Sequence, residues 1–506
     1  MSSARRVVLT KSGPLSGVPA TLPGVEVFRG IPYGAPTAGA HRFRPALPPQ
    51  PWEGVRVADT FGDIAPQDAD TALPQSEDCL NLNVWTPADA SPDDRRAVLV
   101  WIHGGRFLFG AGSEPVYDGS RLAAKGLVVV TLNYRTGVLG FLATPELSAE
   151  SPHRASGNIG LLDIITALHW VRDTIGAFGG DPTRVTIAGQ SSGAACVLDL
   201  VYSPLARGLF HGAIAESAAL YPKDPSISTL APSHRTLEHA ESDGRAFAKA
   251  RGAETPAQLR ALPLRTLIEG SSGNDPRIRA GHPPPLFRPV VDGHVLPRTY
   301  WQTLTEGAQA DVPMLIGGNK DESGVRLSPD TTVARYEQAA QQKFGDLAGE
   351  YLRLYPATTD LEAGEQANAF VRDTLRVSHH LWALAWGSTA KSPAYTYFWT
   401  HVPPGEAGAE RGAHHGSEIP YVFGTLGAAG LPYNTEDVRI NEVLSSYVVN
   451  FAATGDPNGS GLPRWNPAAA DAPVIHEIGA RWGRLDIAEP AKADFIRRYF
   501  DRQQPW

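Results

Sequence analysis

Six short, mostly apolar runs punctuate this chain, at residues 97–102, 127–134, 185–188, 212–216, 312–316 and 394–400. They are rich in aliphatic and β-branched residues and do not alternate with polar ones, so both faces of each are suited to an interior. A strand buried on both faces belongs to a parallel sheet covered by helices. Between the second and third runs, residues 160–178 place Leu161, Leu162, Ile165, Leu168, Trp170 and Val171 at helical spacing. Strand, helix, strand is the repeating unit of a doubly wound α/β sheet.

A chain of 506 residues is ordinarily divided into several domains. No linker marks a boundary and no internal repeat is present, so a single domain over 1–506 is expected. Two helical, charged, Ala-rich stretches, 232–271 and 329–387, break the α/β rhythm without a strand pattern and read as insertions over the sheet's functional edge. The Pro-rich segments 45–51 and 282–289 read as ordered extended loops, because Phe43, Trp52, Phe287 and Val290 can anchor them.

The 45 basic and 53 acidic residues give a net charge of -8 without long like-charge runs or a basic stripe carrying aromatics, which argues against nucleic acid as a partner. Cys79 and Cys196 are the only cysteines, too few for a disulfide framework, so two free thiols in a reducing compartment are expected. Arg5 and Arg6 precede Val7, Val8 and Leu9, but Lys11 and Pro14 follow at once, leaving no apolar secretion segment. No run has the length of a membrane helix. These features lead us to expect a cytoplasmic protein without a membrane partner.

Chemistry first shows at Gly189-Gln190-Ser191-Ser192-Gly193, directly after the run 185–188 and before a helical start at 194–200. A strand, sharp turn and helix with serine at the apex form a nucleophile elbow, and the crowded backbone on either side leaves room only for glycine. Upstream, Trp101-Ile102-His103-Gly104-Gly105-Arg106-Phe107 ends the first run and reads as an oxyanion loop. Acyl transfer develops negative charge on the former carbonyl oxygen, and backbone N–H groups aimed in advance stabilise it. The donors would be Gly105, Arg106 and Ser192.

A serine hydroxyl needs a base to take its proton, and the base needs an acid to fix its tautomer. In the order Ser, acid, His, the acid candidate is the turn Gly318-Asn319-Lys320-Asp321-Glu322-Ser323-Gly324, where composition does not choose between Asp321 and Glu322. The base candidate is His414-His415-Gly416-Ser417-Glu418, where again two neighbours compete. The remaining histidines show no ligand spacing, and Cys79 and Cys196 lie in no metal-binding cluster.

Taken together these segments resemble the type-B carboxylesterase family, which includes cholinesterases and bacterial para-nitrobenzyl esterases. The resemblance runs through Phe28-Arg29-Gly30-Ile31-Pro32-Tyr33, Ser76-Glu77-Asp78-Cys79-Leu80-Asn81-Leu82-Asn83-Val84-Trp85, the His103 loop, Asn133-Tyr134-Arg135, Gly140-Phe141-Leu142, Gly157 to Asp163, Phe178 to Pro182 and the elbow, and continues near Phe287 to Pro297 and Tyr447 to Pro457. It implies an α/β-hydrolase fold: a large, mostly parallel central sheet flanked by helices, with helical insertions over the active-site edge. It also implies a serine carboxylesterase working through an acyl-enzyme, with Ser191 as nucleophile. Of the open pairs, Glu322 looks like the triad acid and His415 like the base. Arg29, Glu77, Asp78 and Arg135 look like structural ion-pair positions. No cofactor or metal is implied, and the expected partner is a small-molecule ester acted on by a monomer or weak homo-oligomer.

Three departures from the family pattern stand out. Arg106 occupies a position where many relatives have Gly or Ala, so its side chain must either line the pocket mouth, favouring an anionic substrate, or lie on a neighbouring carboxylate. Gln190 replaces the usual glutamate beside the nucleophile, which disfavours a choline-like cation. Cys79 has no upstream partner for the loop disulfide of secreted relatives. The competing readings are a binding module, since the fold has adhesion relatives that lost the nucleophile, and a hydrolase of carbamates, thioesters or amides by the same mechanism.

Overall fold

Along the strand Arg96–Ile102 the side chains take turns, with Val98, Val100 and Ile102 entering one apolar cluster and Ala97, Leu99 and Trp101 entering another. A strand clothed on both faces requires helices on both. In the computed structural model, which describes residues 6–226, 234–278, 283–322, 331–479 and 481–506, that strand lies inside an 11-stranded sheet. In chain order the strands are β1 (Val18–Pro19), β2 (Val25–Pro32), β3 (Asn81–Pro87), β4 (Arg96–Ile102), β5 (Val128–Leu132), β6 (Gly180–Gln190), β7 (Gly212–Glu216), β8 (Met314–Asn319), β9 (Ala394–Trp399), β10 (Val474–Ile478) and β11 (Trp482–Asp486).

Their spatial order is β11-β10-β9-β8-β7-β6-β4-β5-β3-β2-β1. All pairings from β10 across to β5 are parallel, and the edges are antiparallel. The six runs predicted as strands coincide with β4 to β9. Five outer strands, β1, β2, β3, β10 and β11, escaped the apolar pattern for physical reasons. The two residues of β1 are too few to leave a period. β3 is buried throughout, but its polar side chains are satisfied internally, Asn83 donating to Thr131 Oγ1 at 3.0 Å and Thr86 to the Phe178 carbonyl at 2.8 Å. β2 is interrupted by a register shift between Phe28 and Ile31, and β10 and β11 carry His476, Glu477, Arg484 and Asp486 at an edge.

One face of the sheet is covered by α1 (Ile159–Thr174), through Leu161, Ile164, Ile165, Leu168 and Val171, and by α2 (Ser192–Tyr202). The expected helix over 160–178 ends four residues early, its tail Ile175–Phe178 tightening into a 3₁₀ turn. In the stretch 232–271 lie α3 (Leu237–Ala250), α4 (Pro256–Ala261) and α5 (Leu264–Ile268), and in the stretch 329–387 lie α6 (Val333–Phe344), α7 (Ala348–Leu354) and α8 (Asp360–Gly387). Residues 5, 232, 233, 282, 323, 324, 329 and 330 of the sequence readings lie outside the described residues. The first stretch also holds a strand, Arg235–Thr236, pairing with Val290–Val291; two residues are too few to leave a period in the sequence. The opposite face of the sheet rests on α9 (Thr435–Thr454) through Ile440, Leu444, Tyr447, Val448 and Phe451.

The chain leaves β4 for β5 on one side and later returns to β6 on the other. This is a topological switch point, where ligands of open α/β sheets bind beyond the carboxyl ends of the strands.

Candidate active site

β6 ends at Gln190 and α2 begins at Ser192, so Ser191 alone makes the turn, with φ 58° and ψ -127°. A side chain is strained in that region. Its surroundings hold it there: the Ser191 N–H donates to the Glu216 carbonyl at 2.8 Å, and the Ser191 carbonyl accepts from Ala195 N–H at 2.9 Å. The flanking glycines have a specific cause in β4. A Cβ at position 193 would lie 2.2 Å from the Ile102 carbonyl oxygen, and one at position 189 would lie 2.6 Å from the Gly193 carbonyl carbon.

The loop after β4 turns back through Gly105, Arg106 and Phe107, at φ 108°, 58° and 61°. It rests on the elbow, since a Cβ at position 104 would be 2.7 Å from the Gln190 carbonyl oxygen and 3.4 Å from Ser191 Cβ. Among the described residues, no backbone hydrogen bond uses the N–H groups of Gly105, Arg106 or Ser192; Ser192 opens a helix, where N–H groups have no intrahelical acceptor. His103 is fully buried and shapes the loop from within. Its Nδ1 donates to the Gly104 carbonyl at 2.8 Å, its ring stacks on Tyr134 at 4.5 Å, and burial pushes its pKa down to about 4, so it stays neutral.

The pairs that the sequence left open are separated by their contacts. Glu322 Oε2 lies 2.5 Å from His415 Nδ1, and Glu322 Oε1 accepts the Asn319 N–H at 2.7 Å. Asp321 turns away: Arg372 binds it at 2.5 and 3.1 Å, and it accepts the Ala413 N–H at 2.9 Å. His414 Nδ1 lies 3.1 Å from the Gly412 carbonyl, while His415 Nδ1 takes the Glu322 contact. Burial depresses the His415 imidazole, but the Glu322 carboxylate outweighs it and holds the pKa above the ordinary 6.5. Burial likewise raises Glu322, and His415 with the Asn319 N–H brings it below its ordinary value. The His415 side chain is 38% exposed, so the site opens to solvent. Gln190 joins elbow to base: its Nε2 lies 3.4 and 3.3 Å from the two His415 ring nitrogens, and such near-equal distances put the amide over the ring face.

Behind this pair lie two carboxylates that the sequence reading did not single out, Glu216 at the end of β7 and Glu418, three residues after His415. Both are buried. Asn319 ties Glu418 to the acid turn: its Nδ2 donates to Glu418 Oε2 and, at 2.7 Å, to the His414 carbonyl, while its N–H holds Glu322. Burial pushes Glu418 up to about 7, and burial, with Glu418 beside it, raises Glu216 well above the ordinary carboxylate value. For Glu216 alone the sequence carried a signal, a charged residue ending an apolar strand.

The other polar positions divide. Glu77 forms a buried bidentate pair with Arg42 at 2.6 and 2.7 Å, and Arg135 one with Asp163 at 2.7 and 2.6 Å. Arg29 and Asp78 do not share that role: Arg29 donates to the Asp59 carbonyl at 3.2 Å and lies 5.0 Å from the Phe61 ring centre, and the Asp78 N–H donates to Ser76 Oγ at 3.0 Å. Both cysteines are buried and free. Among the described residues, no cluster of three or more His, Cys, Asp or Glu is arranged to hold a metal ion, and no helix is long and apolar enough to cross a membrane.

Comparison with known proteins gives the same direction. Residues 4–487 match the carboxylesterase family. The chain is 36% identical over 473 residues to the fumonisin B1 esterase of Sphingopyxis macrogoltabida, covering 90% of this chain and 83% of that one. It is 35% identical over 504 residues to the para-nitrobenzyl esterase of Bacillus subtilis strain 168, covering 93% of each. A solved para-nitrobenzyl esterase structure superposes with a TM-score of 0.79 at 32% identity, covering 97% of this chain and 100% of that one, so the fold is that of an α/β hydrolase. Its α/β-hydrolase sheet, its family match and its esterase relatives make this chain a carboxylic ester hydrolase, a serine carboxylesterase belonging to the carboxylesterase family.

Proposed function

We propose that the enzyme hydrolyses small-molecule carboxylic esters with Ser191 as nucleophile, His415 as general base and Glu322 as the acid that orients it. Ser191 Oγ attacks the ester carbonyl while its proton passes to His415 Nε2. The oxygen that takes the negative charge accepts hydrogen bonds from the N–H groups of Gly105, Arg106 and Ser192. Collapse expels the alcohol, which takes its proton from His415, and leaves an ester on Ser191. Water, reaching the site through its open side, repeats the two steps and releases the acid.

The observation that carries this reading is the 2.5 Å contact of Glu322 with His415 Nδ1, which leaves Nε2 to serve the serine. A binding or adhesion role is not favoured, because Ser191, His415 and Glu322 are all present and the relatives named above are esterases. Two buried, free cysteines fit a reducing interior, and we assign the enzyme to the cytoplasm on that ground.

The test is release of nitrophenol from short and medium-chain nitrophenyl esters. Ser191→Ala is expected to lower kcat by about a thousandfold or more, with His415→Ala similar. Turnover untouched by Ser191→Ala would remove the proposal.

A further inference from the structure

Arg106 holds a left-handed backbone, φ 58°, that glycine would adopt without strain, and its N–H is one of the three proposed oxyanion donors. Its long side chain is fixed across to the segment after α5. Nη2 donates to Asn274 Oδ1 at 2.8 Å and to the Pro283 carbonyl at 2.9 Å. The described residues on its two sides are tied together, Asp275 N–H donating to the Pro284 carbonyl at 2.8 Å and Leu286 N–H to the Gly273 carbonyl at 2.9 Å. Both Arg106 acceptors are neutral. Neighbouring carboxylates are committed elsewhere: Asp275 is shared by Arg277 at 3.1 Å and Arg288 at 3.0 Å, and Asp243 by Arg277 at 2.5 Å and Arg235 at 3.7 Å. Among the described residues Arg106 forms no ion pair, and Asp330 is the one acidic residue outside them.

A guanidinium fixed by one of its nitrogens to neutral oxygens keeps its charge and its other N–H donors available. Resting on the functional reading above, we propose that Arg106 makes this esterase select esters bearing a free carboxylate within an arginine's reach of the scissile carbonyl, such as half-esters of short dicarboxylic acids. The side chain would then do for the substrate's second charge what the backbone N–H does for the oxyanion. Of the two outcomes open to the Arg106 side chain, the mouth of the site is favoured over a neighbouring carboxylate, since no carboxylate among the described residues is bound to it.

The experiment compares kcat/KM for monoethyl glutarate with that for ethyl pentanoate, and for 3-acetoxypropanoate with that for propyl acetate, so that the carboxylate is tried on the acyl and on the alcohol side. The readout is the anionic-to-neutral ratio within each protein, which cancels any general disturbance of the loop. Asn274→Asp gives Arg106 a carboxylate partner without altering the oxyanion residue. In at least one arm it is expected to lower the ratio about tenfold, the smaller end of what a charge-assisted hydrogen bond contributes. Arg106→Gln is expected to lower it comparably, and Arg106→Lys less. Ratios equal in wild type, Asn274→Asp and Arg106→Gln in both arms, with neutral-ester turnover still dependent on Ser191, would overturn this inference alone. Neutral-ester turnover indifferent to Ser191→Ala would overturn the functional reading and this inference with it.

Discussion

Glu322 grips two things with its two oxygens, His415 Nδ1 at 2.5 Å and the N–H of Asn319 at 2.7 Å, whereas its neighbour Asp321 is bound by Arg372. Adjacent carboxylates with such different partners should fail differently. Glu322→Gln keeps the shape but removes the charge that stabilises the imidazolium, so kcat is expected to fall by about a thousandfold or more with little change in melting temperature. Asp321→Asn loses one side of a partly buried ion pair and is expected to cost about 1–3 kcal/mol of stability while retaining most of its turnover. Ester kinetics and thermal melts on the two variants separate the roles.

A general base works only when neutral. Burial opposes the His415 charge, Glu322 and then Glu418 favour it, and the balance holds its pKa above 6.5. The acid limb of kcat/KM is therefore expected to have its midpoint above that ordinary value, with activity lost as pH falls through it. In Glu418→Gln the limb should move toward lower pH. A limb at or below 6.5 in wild type, or one unmoved by the substitution, contradicts this account of the site's electrostatics.

Glu418 also makes stability depend on pH. Burial raises its folded pKa to about 7 from an ordinary 4.5, so the folded state favours the protonated form. The contribution is fully present below the unfolded value and is lost as pH rises through the folded one, between about 4.5 and 7. Glu418→Gln stays neutral throughout, so it is expected to melt like wild type near pH 4.5 and about 1–3 °C higher at pH 8. Calorimetry across that range measures the divergence.

At position 193, 2.2 Å from the Ile102 carbonyl, there is no space for a methyl group, and both neighbours are backbone. Gly193→Ala must push the elbow away from the loop that follows β4. Activity is expected to fall at least about a hundredfold, because a shift near 1 Å at the reacting centre costs that much. A crystal structure or ester kinetics of the variant would reveal the displacement.

The central strands were legible because a parallel strand covered on both faces leaves an unbroken apolar run, as β4 does with Val98, Val100 and Ile102 on one side and Leu99 and Trp101 on the other. The outer strands were not, because β3 buries Asn83 and Thr86 by satisfying them with specific partners, which no periodicity records. The elbow announced itself through glycines whose necessity lies in a distant carbonyl. The choice between Asp321 and Glu322, or His414 and His415, was closed to pattern reading, because one residue of offset in a turn decides which side chain faces the site. The contact of Gln190 with His415 and the roles of Asn319, Glu216 and Glu418 stayed hidden for a related reason: they exist only once β6, β7, β8 and the His415 loop are brought together.

The most direct test of the central claim is intact-mass and peptide analysis after treatment with an alkyl phosphonofluoridate, which captures a serine activated by a neighbouring base beside an oxyanion site. The account predicts one adduct per chain, located on Ser191, formed in wild type and absent from Ser191→Ala, with formation slowed strongly in His415→Ala. An adduct on another residue, or labelling of Ser191 that proceeds equally well without His415, would contradict it.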